Sequence, residues 1–347
     1  MRALIRTLAC AAPLLVASAI ACALRAEELQ VGTPGTASDA PFFIADKKGY
    51  FRDEGLTVHF IRFDSAAKMI PSLGSGELDV GGGATSAGLY NAVKRGVGIK
   101  IVADKARNAK GHGFQGLMVR KELVDSGKFK RLSDLKGLKV ALSAAGNSEA
   151  SLLNGALRQG GLKLSDVELV YLGFPQHTAA FQNGAIDAAI TTEPTLTQIV
   201  KTGSAVRFLG ADEFFPDHQT AVTFYGAEFI KRKPEATGKF MRALIHAIRF
   251  YNDALDGGRL AGRNAEETIA ILVEYSHIKD PAVHRTIISH AVDPNGEVHL
   301  DSLRKAWQLF VDTRQIDGSV SVDDVIDMSF ARAAVGALGP YRRAGTH

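Results

Sequence analysis

The chain has 347 residues, 46% of them hydrophobic and 22% charged, enough for two α/β units of ordinary size. Arg2, Arg6 and Arg25 lie in the first 26 residues; taking these three from the 41 basic residues leaves 38 against 37 acids, so no basic surplus argues for a nucleic-acid partner. Both cysteines, Cys10 and Cys22, lie in the same leading stretch, which excludes disulfide and thiol chemistry from the remainder.

Taken in chain order, Arg2 and Arg6 precede an apolar run from Leu8 to Leu24, and small residues follow with cleavage expected after Ala23 or Ala26. That is the pattern of an export signal over residues 1–26, with the periplasm as destination. A membrane anchor is the competing reading, but the run is short for a span. Ala19-Ile20-Ala21-Cys22 loosely resembles a lipoprotein cleavage box; its leading Ala fits poorly, so a lipid anchor on Cys22 is the less favoured alternative.

LQVGT (29–33) reads as a strand, PFFIADKKGYF (41–51) as a helix with Pro near its start, and LTVHFIRF (56–63) as a strand. A short helix (66–73), a strand (78–81), a helix (85–94) and the strand IKIVADK (99–105) complete a βαβαβαβ run, the signature of an open, largely parallel sheet. The Gly-rich AKGHGFQG (109–116) interrupts the chain. A second run follows: 132–136 leads into the strand LKVALS (138–143), then a helix (148–159), the strand VELVYL (167–172), the end of a helix (179–183), a strand (186–191), a helix (195–201) and the strand AVRFL (205–209). TAVTFYGAEFI (220–230) reads as a return segment. From Pro234 onward apolar spacing near 3.6 predicts helices over 235–256, 265–276, 280–291 and 300–313, with a frayed last dozen residues.

SGELDVGGGATS (75–86) returns in outline as NGAIDAAITTEP (183–194): a small residue and Gly, a two-residue step, Asp79 or Asp187, a short apolar or small run, then a polar turn. Gly ends a helix and Asp opens a strand in each, so one unit is used twice. In open parallel sheets ligands sit beyond the carboxyl ends of strands, where helix N-termini favour an anion or strong acceptor. Gly81-Gly82-Gly83 permits close backbone approach, and Thr85 and Ser86 add hydroxyls. Ala145-Gly146-Asn147-Ser148 and Thr191-Thr192-Glu193 stand correspondingly in the second run. If the two units face one another, each supplies one wall of a cleft. A Gly-rich turn is not by itself a ligand loop, and GGGATS lacks the P-loop Lys and the last Gly of G-x-G-x-x-G.

APFFIADKKGYFRDEGLTVHF (40–60), LGSGELDVGG (73–82), LSDLKGLKVAL (132–142) and NGAIDAAITTEP (183–194) resemble the periplasmic solute-binding proteins of ABC importers, in the nitrate/sulfonate/taurine and thiamine-precursor (NMT1/THI5-like) branch. The resemblance covers about residues 29–235. It implies a two-lobed α/β type II periplasmic binding protein fold, with 27–110 plus 222–347 as the first lobe, 111–221 as the second, and hinges near 106–118 and 210–222. It implies a small-molecule ligand held in the inter-lobe cleft, a permease partner in the inner membrane, a monomer, no cofactor and no reaction. Family binding positions match Ser38 and Asp39, Asp64 and Ser65, Gly83, Ala84 and Thr85, Asn147 and Ser148, and Thr192 and Glu193. Ser65, Thr85 and Ser148 are neutral donors near helix starts, suited to a carboxylate, sulfonate or nitrate. Glu193 serves either a ligand amine or N–H, or the cap of the helix opening at Pro194. Arg107 and Lys68 are nearby cations only; no Arg stands at a binding position.

His177 reads as a surface histidine rather than a cleft residue, His112 as hinge surface, and Trp307 as core on an amphipathic helix. An enzyme is the main rival. GNSEA (146–150) joins strand to helix like a hydrolase elbow but ends in Ala where G-x-S-x-G wants Gly. Enzymes of the thiamine-pyrimidine kind use a Cys-rich motif that is absent after residue 26. No H-E-x-x-H or Cys/His cluster points to a metal. A ligand-sensing protein that docks to a receptor shares the same cleft physics.

Overall fold

The computed structural model describes residues 26–276 and 278–343; residues 1–25 of the expected export signal, Cys22 among them, lie outside these. The first sheet contains β1 (Glu27–Thr33), β2 (Leu56–Arg62), β3 (Val80–Gly83) and β4 (Ile99–Asn108). The chain then crosses into a second sheet made of β5 (Gln115–Arg120), β6 (Lys139–Leu142), β7 (Glu168–Tyr171), β8 (Ala188–Thr192) and β9 (Ala205–Gly210), and returns to the first as β10 (His218–Gly226). The strand orders are β2-β1-β3-β10-β4 and β7-β6-β8-β5-β9. The two orders have the same plan. The strand that enters each sheet by a crossover, β10 in the first and β5 in the second, runs antiparallel to both its neighbours. The other pairings, β1 with β2 and β3 and β6 with β7 and β8, are parallel.

The duplicated motif has a structural job. Asp79 N donates to Gln30 O at 3.0 Å, and its Oδ2 accepts from Gln30 N at 2.8 Å. Asp187 does the same with Lys139, at 2.9 and 3.0 Å. Each side chain thus clips the start of its strand to the parallel neighbour and carries a cation of its own, Lys233 on Asp79 and Arg120 on Asp187. The preceding Gly76 and Gly184 have φ of +79° and +72°, a region that favours glycine where a helix is stopped.

Both cores follow from apolar periodicity. The helix Pro234–Ala254 buries Phe240, Met241, Leu244, Ile245, Ile248 and Tyr251 on one face in the first core, beside the helices Ala40–Lys47 and Ser329–Leu338; each large side chain contributes about 1.5–3 kcal/mol by leaving water. Phe51 stacks on Phe240 with centroids 4.9 Å apart, and Arg242 holds Glu54 through two hydrogen bonds of 2.9 and 2.5 Å. In the second sheet, Leu117, Val119 and Ile190 pack with Leu152 and Leu153 on one face; Met118, Ala141 and Ala189 pack with Phe181 and Ile199 on the other.

Several expectations shift. The helix expected over 41–51 is two, Ala40–Lys47 and Tyr50–Asp53, because Gly49 between them has φ +77°. The Gly-rich 109–116 conceals the start of β5. The helix expected over 280–291 ends at Thr286. The chain beyond runs beside β4, where Ala291 and Arg107 exchange main-chain bonds of 2.8 and 3.1 Å. Trp307 is half-buried against the first core and donates Nε1–H to Val320 O. Among the described residues no helix is long and apolar enough to cross a membrane.

Candidate functional site

A cavity lies between the two sheets. Its volume is about 30 Å³, room for about two or three waters at roughly 10–15 Å³ each. The first sheet's side supplies Thr36, Ser38, Ala66, Gly83 and Ala84, and the second's supplies Ser143, Asn147, Glu149, Phe174 and Thr192. Phe114, Gln115, Thr220 and Ala221, from the two crossovers, also line it.

The loops closing its mouth meet one another directly. Ser86 and Asn147 form an antiparallel bridge, with Ala87 N donating to Gly146 O at 2.7 Å and Ser148 N to Thr85 O at 2.9 Å. Ala37 N donates to Glu193 O at 3.0 Å, a third main-chain bond across the divide. Gly83 is required on the first wall: a Cβ there would lie 2.4 Å from the Cβ of Ala66.

Among the residues expected from sequence, Ser38, Gly83, Ala84, Asn147 and Thr192 line the cavity. Ser65, Thr85 and Ser148 adjoin lining residues. The hydroxyls of Ser65, Thr85, Ser148 and Thr192 are buried and have no hydrogen-bond partner among the described residues, an uncommon condition for buried polar atoms. Ser86, one residue beyond Thr85, spends its hydroxyl on Leu89 N as a helix cap. Asn147 is occupied too: its Nδ2 donates to Ser143 Oγ at 2.8 Å and its Oδ1 accepts from Glu149 N at 3.1 Å.

Three expected residues have carboxylates engaged by other groups of the protein. Asp39 is fully buried beneath Ser38, with Oδ1 2.7 Å from Lys105 Nζ. Asp64 is exposed on the rim and paired with Lys68 at 2.6 Å. Glu193 turns its carboxylate to the helix Thr195–Thr202, accepting from Thr197 N at 3.0 Å and Thr197 Oγ1 at 2.9 Å. Of its two sequence readings, the cap is the one in the geometry. Burial raises the Glu193 carboxyl to about 7 despite those bonds.

His177 is a correction. It is fully buried, not at the surface; Nε2 lies 2.8 Å from Leu172 O, and burial lowers its pKa to about 4. His112 is half-buried, with Nδ1 3.1 Å from Ser289 O. Between the crossovers, Asn108 Nδ2 donates to Gln115 Oε1 and Thr220 Oγ1 at 3.0 and 2.8 Å, and the buried His218 adjoins Thr220 and Ser151 at 3.4 Å each.

Sequence reasoning missed two charged groups. Lys105, 2% exposed in β4, donates to Ser38 Oγ at 2.8 Å as well as pairing with Asp39. Burial lowers its pKa, opposed by Asp39. Glu149, 2% exposed, opens the helix Glu149–Gln159 and accepts from Ser143 N and Ser143 Oγ, each at 2.8 Å. Burial pushes its carboxyl up to about 7, against those bonds. Glu149 stood in plain view within GNSEA, read there only as a failed hydrolase elbow.

The NMT1/THI5-like family model matches residues 36–253, well over half of the chain. The chain belongs to the NMT1/THI5-like family. A putative aliphatic sulfonates-binding protein of Bacillus subtilis (strain 168) is 27% identical over 89% of this chain and 88% of its own length. The taurine-binding periplasmic protein of Escherichia coli (strain K12) is 26% identical over 66% and 68%. Among solved structures, the alkanesulfonate-binding protein SsuA from Xanthomonas axonopodis pv. citri, bound to MOPS, superposes with a TM-score of 0.67 at 18% identity, covering 86% of this chain and 98% of that one. The two-lobed type II binding-protein architecture is therefore that of this family member. The fold also carries catalysis elsewhere: the desulfurization enzyme DSZB superposes with a TM-score of 0.62 at 13% identity, over 90% of this chain and all of that one.

Proposed function

We propose that this chain is the substrate-binding component of an ABC importer, working in the periplasm. It takes a small organic anion such as a sulfonate or carboxylate into the cavity between its sheets and delivers it to a permease in the inner membrane. The observation that carries this reading is the set of four buried, unpartnered hydroxyls, Ser65, Thr85, Ser148 and Thr192, at or beside the cavity wall. They come from both sides of the divide, so an acceptor-rich ligand satisfies them only when the lobes are together. Closure is then favoured by contacts that exist only in the closed form. The sulfonate- and taurine-binding relatives support the same ligand class.

Binding is favoured over catalysis on the same atoms. An activated nucleophile needs a hydrogen-bonded base, and none of these four hydroxyls has a hydrogen-bond partner.

The test is thermal unfolding of residues 27–347 against a panel of nitrate, alkyl sulfonates, amino sulfonates, aromatic carboxylates and pyrimidines. A ligand at 100 times its dissociation constant adds about 2.7 kcal/mol of stability. The expected result is a shift with one anionic class, diminished in Thr192→Val and Ser148→Ala. A ligand whose affinity ignores both substitutions would overturn the assignment of these hydroxyls.

A further inference from the structure

The two buried acids at the cavity differ in a way that bears on the ligand. On the first wall, Asp39 is neutralised by Lys105 at 2.7 Å, and Lys105 spends a further hydrogen on Ser38. That cation is not free for an incoming anion. On the second wall, Glu149 lines the cavity and meets only neutral groups, Ser143 N–H, Ser143 Oγ–H and the side chain of Asn147, with no Lys or Arg ion-paired to it among the described residues. The cavity therefore carries either no net charge or one negative charge. A site built for a bare anion has no use for an unneutralised carboxylate on its wall, because like charge repels in a low-dielectric space.

From this juxtaposition we infer that the ligand is bifunctional: an ammonium or N–H group meets Glu149, while an acidic or acceptor group meets the unpartnered hydroxyls of Ser65, Thr85, Ser148 and Thr192. The inference rests on the binding-protein reading and narrows its ligand class to small zwitterions and donor-bearing acceptors. Each Glu149 oxygen accepts one bond from Ser143 and retains a second lone pair for a ligand donor. The amine contact expected of Glu193 passes to Glu149, since the Glu193 carboxylate is taken by Thr197.

The surroundings of Glu149 leave it as the titrating group. Ser143 and Asn147 beside it are neutral, as are Thr36, Gly83 and Ala84 across the cavity. His218, which adjoins Ser151 on the same helix, is held neutral by burial, and Lys105 with Asp39 forms a closed pair behind Ser38. An ammonium ligand requires ionised Glu149, so its affinity rises with pH as Glu149 loses its proton, whereas that of a plain anion falls.

The experiment is titration calorimetry with matched pairs: 2-aminoethanesulfonate against ethanesulfonate, and 3-aminopropionate against propionate. Each is measured at about pH 6 and about pH 8, with wild type and Glu149→Gln. The expected result is that the aminated member binds about 10- to 100-fold tighter, more so at the higher pH. Glu149→Gln should erase both the preference and its pH dependence while melting as cooperatively as wild type. Equal or tighter binding of the plain anions would overturn the bifunctional ligand and leave the binding-protein reading standing. So would an amine preference that survives Glu149→Gln. No binding by either member of either pair would count against the small-anion reading itself, and this inference would fall with it.

Discussion

Asp39 and Glu149 are both acids beside helix starts and both buried to within 2% of complete, yet they play opposite parts. Asp39 is part of the architecture: it accepts from Thr36 N at 2.9 Å, pairs with Lys105, and turns Lys105 toward Ser38. Glu149 has hydrogen bonds but no counter-ion among the described residues, and burial raises its pKa to about 7. The contrast shows how burial alone fails to distinguish a structural acid from a functional one. The partner decides, and a missing cation on a cavity wall is the informative case.

The most damaging way to break the comparison is to remove the partner of the structural acid. Lys105→Met should cost about 3–5 kcal/mol, because it strands a buried charge; urea unfolding of the variant checks this, and restoration by the double variant with Asp39→Asn distinguishes charge from packing. The opposite result is expected on the other wall. The Glu149 pKa is raised to about 7 from an ordinary 4.5, so the folded state keeps a proton that the unfolded state has released. Its contribution to stability is full below about pH 4.5 and is lost as pH rises through about 7. Glu149→Gln should therefore stabilise the protein relative to wild type by about 1–3 kcal/mol at pH 8 and by much less near pH 5. The low pKa values of His177 and His218 work with the opposite sign, but they are common to both proteins and cancel in the difference.

Two smaller effects sharpen the boundary between wall and scaffold. Glu193→Ala should lower stability by about 1–2 kcal/mol through loss of the cap at Thr197, with ligand affinity largely kept; calorimetry on the folded variant checks the second part. Ser148→Ala removes a hydroxyl without a partner, so unfolding should change by less than about 0.5 kcal/mol while ligand affinity falls several-fold.

Much of this was legible beforehand, for local reasons. The repeat at Asp79 and Asp187 could be read because a glycine that stops a helix and an acid that opens a strand are short-range signals. The hydroxyls of Thr85, Ser148 and Thr192 were found because they stand where strands give way to helices. Strand β5 was hidden because QGLMVR follows a glycine-rich turn and becomes a strand through antiparallel pairing with β8 and β9, both distant in sequence. Lys105 closes the strand IKIVADK without standing out in sequence, since nothing local reveals that Asp39, 66 residues earlier, waits behind Ser38. Glu149 was misread because its meaning lies in a cation it lacks, and composition does not report pairings.

The bridge between Ser86 and Asn147 has a consequence for how such a protein can change. The clasp joining the lobes uses main-chain groups: Ala87 with Gly146, Ser148 with Thr85, and Ala37 with Glu193. Any side chain can occupy most of those positions without altering the clasp. The grip of the jaw and the taste of the cavity are thus written in separate alphabets, and replacing one or two wall residues can change what the cavity accepts while leaving the main-chain clasp intact.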